Sequence, residues 1–488
     1  MLARLDQNPA LLTASDGSRA SHVLLVVPPV KERGALADVP FVDALDASLK
    51  RRRKKLDDLV KGPISSDLPH GALASWIALD PAQSAFEQLT QVRKALQLLL
   101  AEKPKEITIA VFGESQARRH AAERAVYAAW VNGTPLPERK QKPEAVALER
   151  IRLYGCNDAD GFSLLRAQAM GNTLCRELTV LPPNELTPGA YRRRVTKLAR
   201  EYGWAREEYD LKRLRRMGAG AFVAVAQGSS EEDAAIVRLR YRHKKAKKTL
   251  ALVGKGICFD TGGHNLKTAR YMHGMHEDMN GSAVALGIML AATEAQLRVD
   301  LDCWLAIAQN HLSPQAYKQN EVITALNGTT IEIVHTDAEG RLVLSDTLTL
   351  AARAKPDLIV DFATLTGSMH VALGDRYSGI FATSDEVAQR AVASGIASGE
   401  RVWRFPLDED YDAALESTIA DVKQCTMDGE ADHILGARLL KRFTEDRPWI
   451  HMDLSGSNCK GGLGAVATDV TGFGVAWGTH LANSWSDK

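Results

Sequence analysis

Short apolar runs rich in β-branched residues alternate with helix-like segments along this chain, most regularly after residue 249. The runs predict strands at 249–254, 300–308, 357–362 and 449–454, and apolar residues at helical spacing predict helices at 282–296, 341–354 and 433–443. Strands that are apolar along their whole length are buried on both faces, as in parallel sheets covered by helices. The pattern therefore predicts an α/β fold with a central, mostly parallel sheet.

The first third of the chain shows the same alternation in a weaker form. It predicts strands at 22–27 and 107–112 and helices at 82–100 and 117–130. At 488 residues the chain exceeds the size of one ordinary hydrophobic core. We therefore predict two α/β domains, residues 1–165 and residues 166–488, each with a mostly parallel sheet flanked by helices.

The net charge and the local clusters of charge limit the functions that the sequence allows. The 61 Lys and Arg residues nearly balance the 60 Asp and Glu residues, for a formal charge of +1, which excludes nucleic-acid binding by overall basicity. Two basic runs, 50–55 and 242–248, are either solvated surface or a local DNA-binding patch. No aromatic residues that would stack on bases are interleaved with them.

The sequence predicts neither membrane contact nor export. No apolar run approaches the ~18 residues that span a bilayer, and residues 1–10 lack the apolar stretch of a signal peptide. The six cysteines include no CxxC pair, which argues against a disulfide framework and against a zinc knuckle. We therefore expect reduced thiols and a cytoplasmic location.

Charged side chains concentrate in two segments that each follow a predicted strand. These side chains are Lys255, Asp260, Lys267 and Asp278 in segment 253–281, and Asp337, Glu339 and Arg341 in segment 335–341. Glycines from 254 onward predict that the first segment is a tight loop. Carboxylates two residues apart point to one side of an extended backbone, so Asp337 and Glu339 are expected to face one site.

Familiar nucleotide motifs do not account for these glycines. A P-loop would need Gly at position 249 and Ser or Thr at position 256, where Thr249 and Gly256 stand. A dinucleotide-binding fingerprint would need a third glycine at position 259, where Phe259 stands. The chain also lacks a GxSxG elbow and an HExxH motif.

A pair of divalent cations explains the acids better. Each carboxylate alone is an ordinary surface acid or helix cap, but together in one site they repel one another and are costly to bury. Bridging carboxylates hold two cations ~3.5–4 Å apart. Lys255 is then either an ion-pair partner or a metal ligand with a lowered pKa, and Lys267 remains charged to stabilise an oxyanion.

At these residues the chain closely resembles the leucyl (cytosol) aminopeptidase family. The family octapeptide Asn-Thr-Asp-Ala-Glu-Gly-Arg-Leu corresponds to His-Thr-Asp-Ala-Glu-Gly-Arg-Leu at 335–342. The family metal loop corresponds to Val-Gly-Lys-Gly-Ile-Cys-Phe-Asp-Thr-Gly-Gly at 253–263. Shorter matches occur at 181–188, 361–367, 451–456 and 471–474. The resemblance covers about residues 165–480, and the N-terminal third matches only in general layout.

The resemblance implies a role for each matching residue. One metal would be held by Lys255, Asp260, Asp278 and Glu339, and the other by Asp260, Asp337 and Glu339. Lys267 and Arg341 would be the catalytic pair, with a bicarbonate on Arg341 as general base. The substrate site would be lined by Met275, Thr364, Leu365 and Gly367.

The same resemblance implies an activity. The chain would be a dinuclear Mn²⁺ or Zn²⁺ aminopeptidase that releases N-terminal residues, preferentially Leu and other apolar ones, from peptides by a metal-bridged hydroxide. It would be a homohexamer in which the N-terminal domain has an accessory or assembly role. The alternatives are an additional or sole role as a DNA-binding accessory protein, which the basic runs leave open, and a catalytically silent scaffold.

This chain departs from the family pattern at several positions. His335 replaces the first Asn of the octapeptide, Thr261 replaces a Ser, and Gln-Asn-Glu at 319–321 replaces Pro-Gly-Asp. His273 and His276 stand where the family carries more acids. These histidines are either surface residues or ligands of an extra metal, and they bear on metal preference and pH optimum.

Overall fold

A computed structural model of the chain describes residues 1–229 and 232–486. The described residues form two compact units. The first unit holds Met1–Thr173, Ile396–Gly399 and Cys459–Thr471. The second holds the described residues of Leu174–Gly395, Glu400–Asn458 and Gly472–Lys488.

A six-stranded sheet forms the centre of the first unit. Its strands are β1 (Arg4–Asn8), β2 (His22–Val27), β3 (Ile64–Asp67), β4 (Leu73–Ala78), β5 (Glu106–Val111) and β6 (Arg150–Tyr154). Their order is β1-β6-β5-β2-β4-β3, and only the β3–β4 pairing is antiparallel. The helices are α1 (Ala14–Gly17), α2 (Val42–Arg51), α3 (Ala85–Leu100) and α4 (Ser115–Gly133), together with the first part of α5 (Ser163–Thr179), which continues into the second unit.

Both faces of this sheet are buried. Alternate residues of β2 enter different cores: Val23 and Leu25 pack on the side of α2, whereas Leu24 and Val26 pack on the side of α3 and α4. Side chains alternate along a strand, so an uninterrupted apolar run is what a strand covered on both faces requires.

An eight-stranded sheet forms the centre of the second unit. Its strands are β7 (Ala205–Asp210), β8 (Ala235–Tyr241), β9 (Thr249–Asp260), β10 (Asp300–Asn310), β13 (Leu358–Ala363), β14 (Ser378–Ala382), β15 (Val402–Arg404) and β17 (Trp449–Asp453). The order is β15-β14-β17-β13-β9-β10-β8-β7. The central strands β17, β13, β9 and β10 are mutually parallel. A small third sheet contains β11 (Val322–Thr324), β12 (Thr330–Glu332) and β16 (Val422–Lys423).

Helices flank the large sheet. They are α6 (Pro188–Glu201), α7 (Leu211–Met217), α8 (Gly220–Ala226), α9 (Ala269–Met272), α10 (Asn280–Glu294), α11 (Glu339–Arg353), α12 (Gly367–Leu373), α13 (Asp385–Ser398), α14 (Asp432–Lys441) and α15 (Val475–Ser486). Helix α10 packs on β9 and β13 and against α15, and it is buried from Asn280 through Ala292. This burial explains why α10 is apolar around its whole circumference.

The predicted α/β class, with mostly parallel sheets flanked by helices, is confirmed. Two local expectations are wrong. Strand β9 continues past the glycines to Asp260, so Lys255 lies within a strand and not in a loop. Asp337 lies in a turn and Glu339 begins α11, so their backbone is not extended.

Candidate metal centre

Three neighbouring parallel strands, β10, β9 and β13, end at one edge of the large sheet. Strand β9 places Lys255 and Asp260 there, both of them buried. Asn310 at the end of β10 lies opposite Asp260, and β13 leads into segment 364–367. The carboxyl ends of parallel strands are where α/β proteins hold ligands.

Two helix N-termini bring the other acids to this edge. Asp278 lies in the 3-10 turn Met275–Met279 immediately before α10, and Glu339 is the first residue of α11. Oxygens of Asp260, Asp337 and Glu339 all lie within 4.8 Å of one another. Acids that are distant along the chain therefore converge on one site.

Lys255 joins the fourth acid to this group. Its Nζ lies 2.8 Å from Asp278 Oδ1 and 2.8 Å from Glu339 Oε1, and it donates to the Thr364 carbonyl at 3.0 Å. Burial alone would lower the pKa of Lys255, but the field of Asp278, Glu339 and Asp260 raises it above its ordinary value. A divalent cation among these acids would oppose that effect and lower the pKa of Lys255 again.

Lys267 holds the opposite side of the group. Its Nζ lies 2.9 Å from Asp260 Oδ2 and 2.6 Å from Asp337 Oδ1. Burial opposes its charge, yet Asp260, Glu339 and Asp337 raise the pKa of Lys267 above its usual value. The Lys267 side chain is 14% exposed, whereas that of Lys255 is 4% exposed.

The site contains more carboxylates than positively charged side chains. Burial, followed by repulsion from Asp260 and Glu339, raises the pKa of Asp337 to about 7. Burial also raises the pKa of Asp278 and of Glu339. Asp278 Oδ2 and Glu339 Oε2 are buried and make no hydrogen bond to any described residue. Unpaired buried carboxylate oxygens beside like charges are the donor atoms that divalent cations require, so the site fits a metal pair.

Neutral groups orient the acids. Asn310 Nδ2 donates to Asp260 Oδ1 at 2.8 Å and to the Thr336 carbonyl at 3.0 Å. Thr364 Oγ1 donates to Asp278 Oδ1 at 2.7 Å. Such outer hydrogen bonds fix the direction of metal ligands and tune their affinity. Asn310 comes from a strand with no motif, so sequence reasoning does not find it.

Arg341 lies in the first turn of α11 but contacts none of the four acids directly. Its guanidinium is buried, with NH1 donating to the Gln424 carbonyl at 3.0 Å and NH2 lying 2.8 Å from Asp432 Oδ1. Asp432 is the first residue of α14, and the sequence contains no sign of this pair.

The profile of the catalytic domain of the cytosol aminopeptidase family matches residues 173–477. This chain belongs to the cytosol aminopeptidase family. The resemblance of its two long motifs to that family is thereby confirmed.

Individual relatives agree with this family assignment. A probable cytosol aminopeptidase of Afipia carboxidovorans is 41% identical over 317 residues, which are 64% of this chain and 62% of that protein. One of Acidovorax ebreus is 38% identical over 77% of each chain. The match to the former thus spans less than two thirds of its length. Among solved structures, the bottromycin maturation enzyme BotP in complex with Mn has a TM-score of 0.83 and 26% identity, covering 96% of this chain and 100% of that one.

Segment 364–367, which the sequence resemblance expects at the substrate site, is held by hydrogen bonds to Asp453. Asp453, at the end of β17, accepts hydrogen bonds from Leu365 N at 2.9 Å and from Thr366 Oγ1 at 2.6 Å. Gly367 then begins α12, and Met275 begins the turn that carries Asp278. Asp453 lies in the matching stretch 451–456, but nothing in the sequence indicates what it contacts.

The four histidines of the two charged segments, 253–281 and 335–341, differ in their surroundings. His264 and His273 are exposed and His276 is partly buried, and none belongs to a metal-binding group among residues 1–229 and 232–486. His335 Nδ1 accepts from Asp337 N at 3.2 Å. Burial, together with the nearby charge of Lys267, lowers the pKa of His335.

Proposed function

We propose that this chain is a metal-dependent aminopeptidase that removes N-terminal residues, preferentially Leu and other apolar ones, from peptides. The convergence of four acids on two lysines in one buried site is the observation that carries the proposal. Membership of the cytosol aminopeptidase family supports the same activity. We assign the catalytic role to residues 166–488 and an accessory role to residues 1–165.

The site would hold two divalent cations. One would be bound by Lys255, Asp260, Asp278 and Glu339, and the other by Asp260, Asp337 and Glu339. Oxygen-rich donors suit hard ions, which favours Mn²⁺ over Zn²⁺. When bound, such a pair lowers the pKa of water and polarises a peptide carbonyl.

The side chains around the ions would bind and orient the peptide. A bound ion would also accept the neutral α-amine of a free N-terminus as a ligand, which would limit cleavage to the N-terminal residue. Lys267 is charged and partly exposed, so it can stabilise the oxyanion that develops on the scissile carbonyl. Met275, Thr364, Leu365 and Gly367 would line the side-chain pocket. Apolar pockets discriminate by only ~1–3 kcal/mol per methylene, so we expect broad specificity.

Hydrolysis of leucine p-nitroanilide tests the activity. We expect turnover with added Mn²⁺, loss of turnover with a chelator, and no cleavage of the N-acetylated substrate. Lysine and glutamate anilides should be cleaved more slowly than the leucine anilide. Cleavage of the acetylated substrate, or full activity after chelation, would refute the proposal.

Assembly and location complete the proposal. We propose a cytoplasmic homohexamer, on the basis of the sequence resemblance and the names of the relatives. Within the part of the chain that the structure describes, there is no helix with the length and apolarity needed to cross a bilayer. Sedimentation equilibrium tests the assembly, and a monomer at micromolar concentration would contradict it.

DNA binding is the second candidate, and the basic runs are what favours it. In run 242–248, Arg242 pairs with Asp302 and Lys248 pairs with Asp357 at 3.0 Å, so part of the positive charge is already neutralised. This pairing is why we place the peptidase first. A gel-shift with duplex DNA tests this candidate. Binding through these runs would give a shift at low salt that weakens as the salt concentration rises, and no shift at low salt would rule it out.

A further inference from the structure

The Arg341 guanidinium is already paired with a carboxylate of this chain. Its guanidinium, 2% exposed, donates from NH1 to the Gln424 carbonyl at 3.0 Å and lies with NH2 2.8 Å from Asp432 Oδ1. An arginine–carboxylate pair at this distance is a charge-assisted hydrogen bond, which is stronger than a neutral one. The positive charge that would attract a small anion is therefore balanced from within the chain.

Asp432 is built into this position by α14. It is the first residue of that ten-residue helix, where the helix dipole favours a negative side chain. The residue before it, Ala431, has a φ of 52°, a left-handed conformation that is costly for a residue other than glycine. The backbone thus accepts strain in the turn that delivers Asp432 to Arg341.

The same helix closes on the guanidinium one turn later. A Cβ on Gly436 would lie 3.6 Å from Arg341 NH2 and 3.7 Å from Cζ, so the α14 backbone packs directly on this group. Residues 432 and 436 lie on one helix face, so together they cover the guanidinium from that side.

One N–H donor of Arg341 makes no hydrogen bond to the described residues. Arg341 Nε is buried and has no hydrogen-bond partner among the described residues. A bicarbonate that bound there would lie beside the Asp432 carboxylate and be repelled by it, while gaining little from an arginine whose charge is already paired. The residues at Arg341 therefore do not fit the bicarbonate that the sequence resemblance implies.

We propose that Asp432 is the resident anion of Arg341, so that this enzyme works without bicarbonate. Asp432 is a positioning residue that acts through Arg341. The inference rests on the proposed function for its catalytic consequence, but the binding of bicarbonate to the protein can be measured without catalysis.

Three variants test the inference. Asp432→Gly removes the carboxylate, and Asp432→Asn keeps its shape without its charge. Asp385→Gly makes the same deletion at the first residue of α13, where the side chain is 80% exposed and pairs with Arg404, and serves as the matched control. Metal content is measured for each, so that a lost ion is not mistaken for a lost anion.

The first measurement is of bicarbonate binding to each protein. It uses the line broadening of ¹³C-bicarbonate and the melting temperature, both in CO₂-depleted buffer to which bicarbonate is added. We expect no binding to the wild type or to the Asp385→Gly variant, and saturable binding to the Asp432→Gly variant, accompanied by a higher melting temperature. Asp432→Asn should also bind, which keeps the test valid if the glycine variant folds poorly. Bicarbonate binding to the wild type that is as strong as binding to the variants would overturn the inference.

The second measurement is the turnover of leucine p-nitroanilide with and without bicarbonate. The wild-type rate should not respond to bicarbonate. Asp432→Gly should lose about 10- to 100-fold in rate, the cost of one charge-assisted hydrogen bond, and regain part of it with bicarbonate or formate. A wild-type rate that rises several-fold with bicarbonate would contradict the inference. No hydrolysis by any protein would refute the proposed function, whereas the binding result would still decide the role of Asp432.

Discussion

The direction of each carboxylate in the site depends on neutral neighbours as much as on charge. Asp260 Oδ1 accepts from Asn310 Nδ2 and from Gly262 N, both at 2.8 Å, while its Oδ2 faces Lys267. One oxygen is thus held by two neutral donors, and the other is paired with a charged one. This division of roles is what a bridging ligand needs.

Replacing Asn310 tests that arrangement. We expect Asn310→Ala to weaken Mn²⁺ affinity about 10- to 100-fold, because Asp260 loses one of its orienting donors. Titration calorimetry of the metal-depleted protein measures the change. Asn327→Ala is the control, since the Asn327 side chain donates to the Arg442 carbonyl at 3.3 Å and accepts from Thr329 N at 3.0 Å, and neither partner belongs to the metal centre. Equal affinities for the two variants would show that Asn310 has no such role.

Sequence motifs identify the charged residues of the site but not their supports. Lys255, Asp260, Asp337 and Glu339 are found because they lie in two segments with recognisable spacing. Asn310 and Asp432 come from elsewhere in the chain and reach the site only through the tertiary fold. A single polar residue at the end of an apolar strand, or at the start of a helix, carries no signal of what it will contact.

At the scale of elements, one close approach joins the central strand to its helix. Strand β9 and helix α10 meet at Gly254, where a Cβ would lie 2.4 Å from Ser282 Cα and 2.6 Å from the Gly281 carbonyl oxygen. The glycine is therefore needed for packing and not for a turn. This explains why the strand predicted to stop at 254 continues to Asp260: sequence reasoning assigned the glycines to a loop.

We expect Gly254→Ala to lower the free energy of unfolding by about 1–3 kcal/mol, because backbone atoms cannot move aside as a flexible side chain can. Metal affinity should fall with it, since α10 begins two residues after Asp278 and Lys255 directly follows Gly254. Urea unfolding gives the stability. Gly62→Ala, where no atom lies within 4 Å of the added Cβ, should be nearly neutral. A Gly254→Ala variant as stable as the wild type would disprove this packing role.

The strands at the centre of the large sheet are read well from the sequence, because burial on both faces of the sheet demands apolar runs. In the six-stranded sheet, strand β2, predicted at 22–27, is likewise found at His22–Val27. The small sheet of β11, β12 and β16 is not predicted, because strands of two or three residues are too short to show a periodicity.

At the scale of the whole molecule, one buried acid makes stability depend on pH. Glu400 accepts from Gly474 N at 2.9 Å and from Trp477 N at 2.8 Å, next to the start of α15. Burial raises the pKa of Glu400 to about 7 from the ordinary 4.5. Between these values the folded state keeps a proton that the unfolded chain has released. The stabilisation is therefore complete below about pH 4.5 and is lost as the pH rises through about 7.

Glu400→Gln should remove this dependence, because the amide oxygen still accepts both hydrogen bonds and does not ionise. Relative to the wild type, the variant should gain up to about 3 kcal/mol in unfolding free energy between pH 4.5 and pH 8. Denaturant unfolding at several pH values measures the difference. A difference that does not vary with pH would mean that Glu400 titrates normally.

The central claim is that the four acids are held together by a pair of cations, and metal analysis tests it most directly. After chelation and reconstitution with Mn²⁺, the wild type should carry two ions per chain. Asp278→Ala should lose bound ion and turnover, whereas Lys267→Ala should keep both ions and lose turnover. A wild type that binds no metal, or two variants that keep full turnover, would contradict the account.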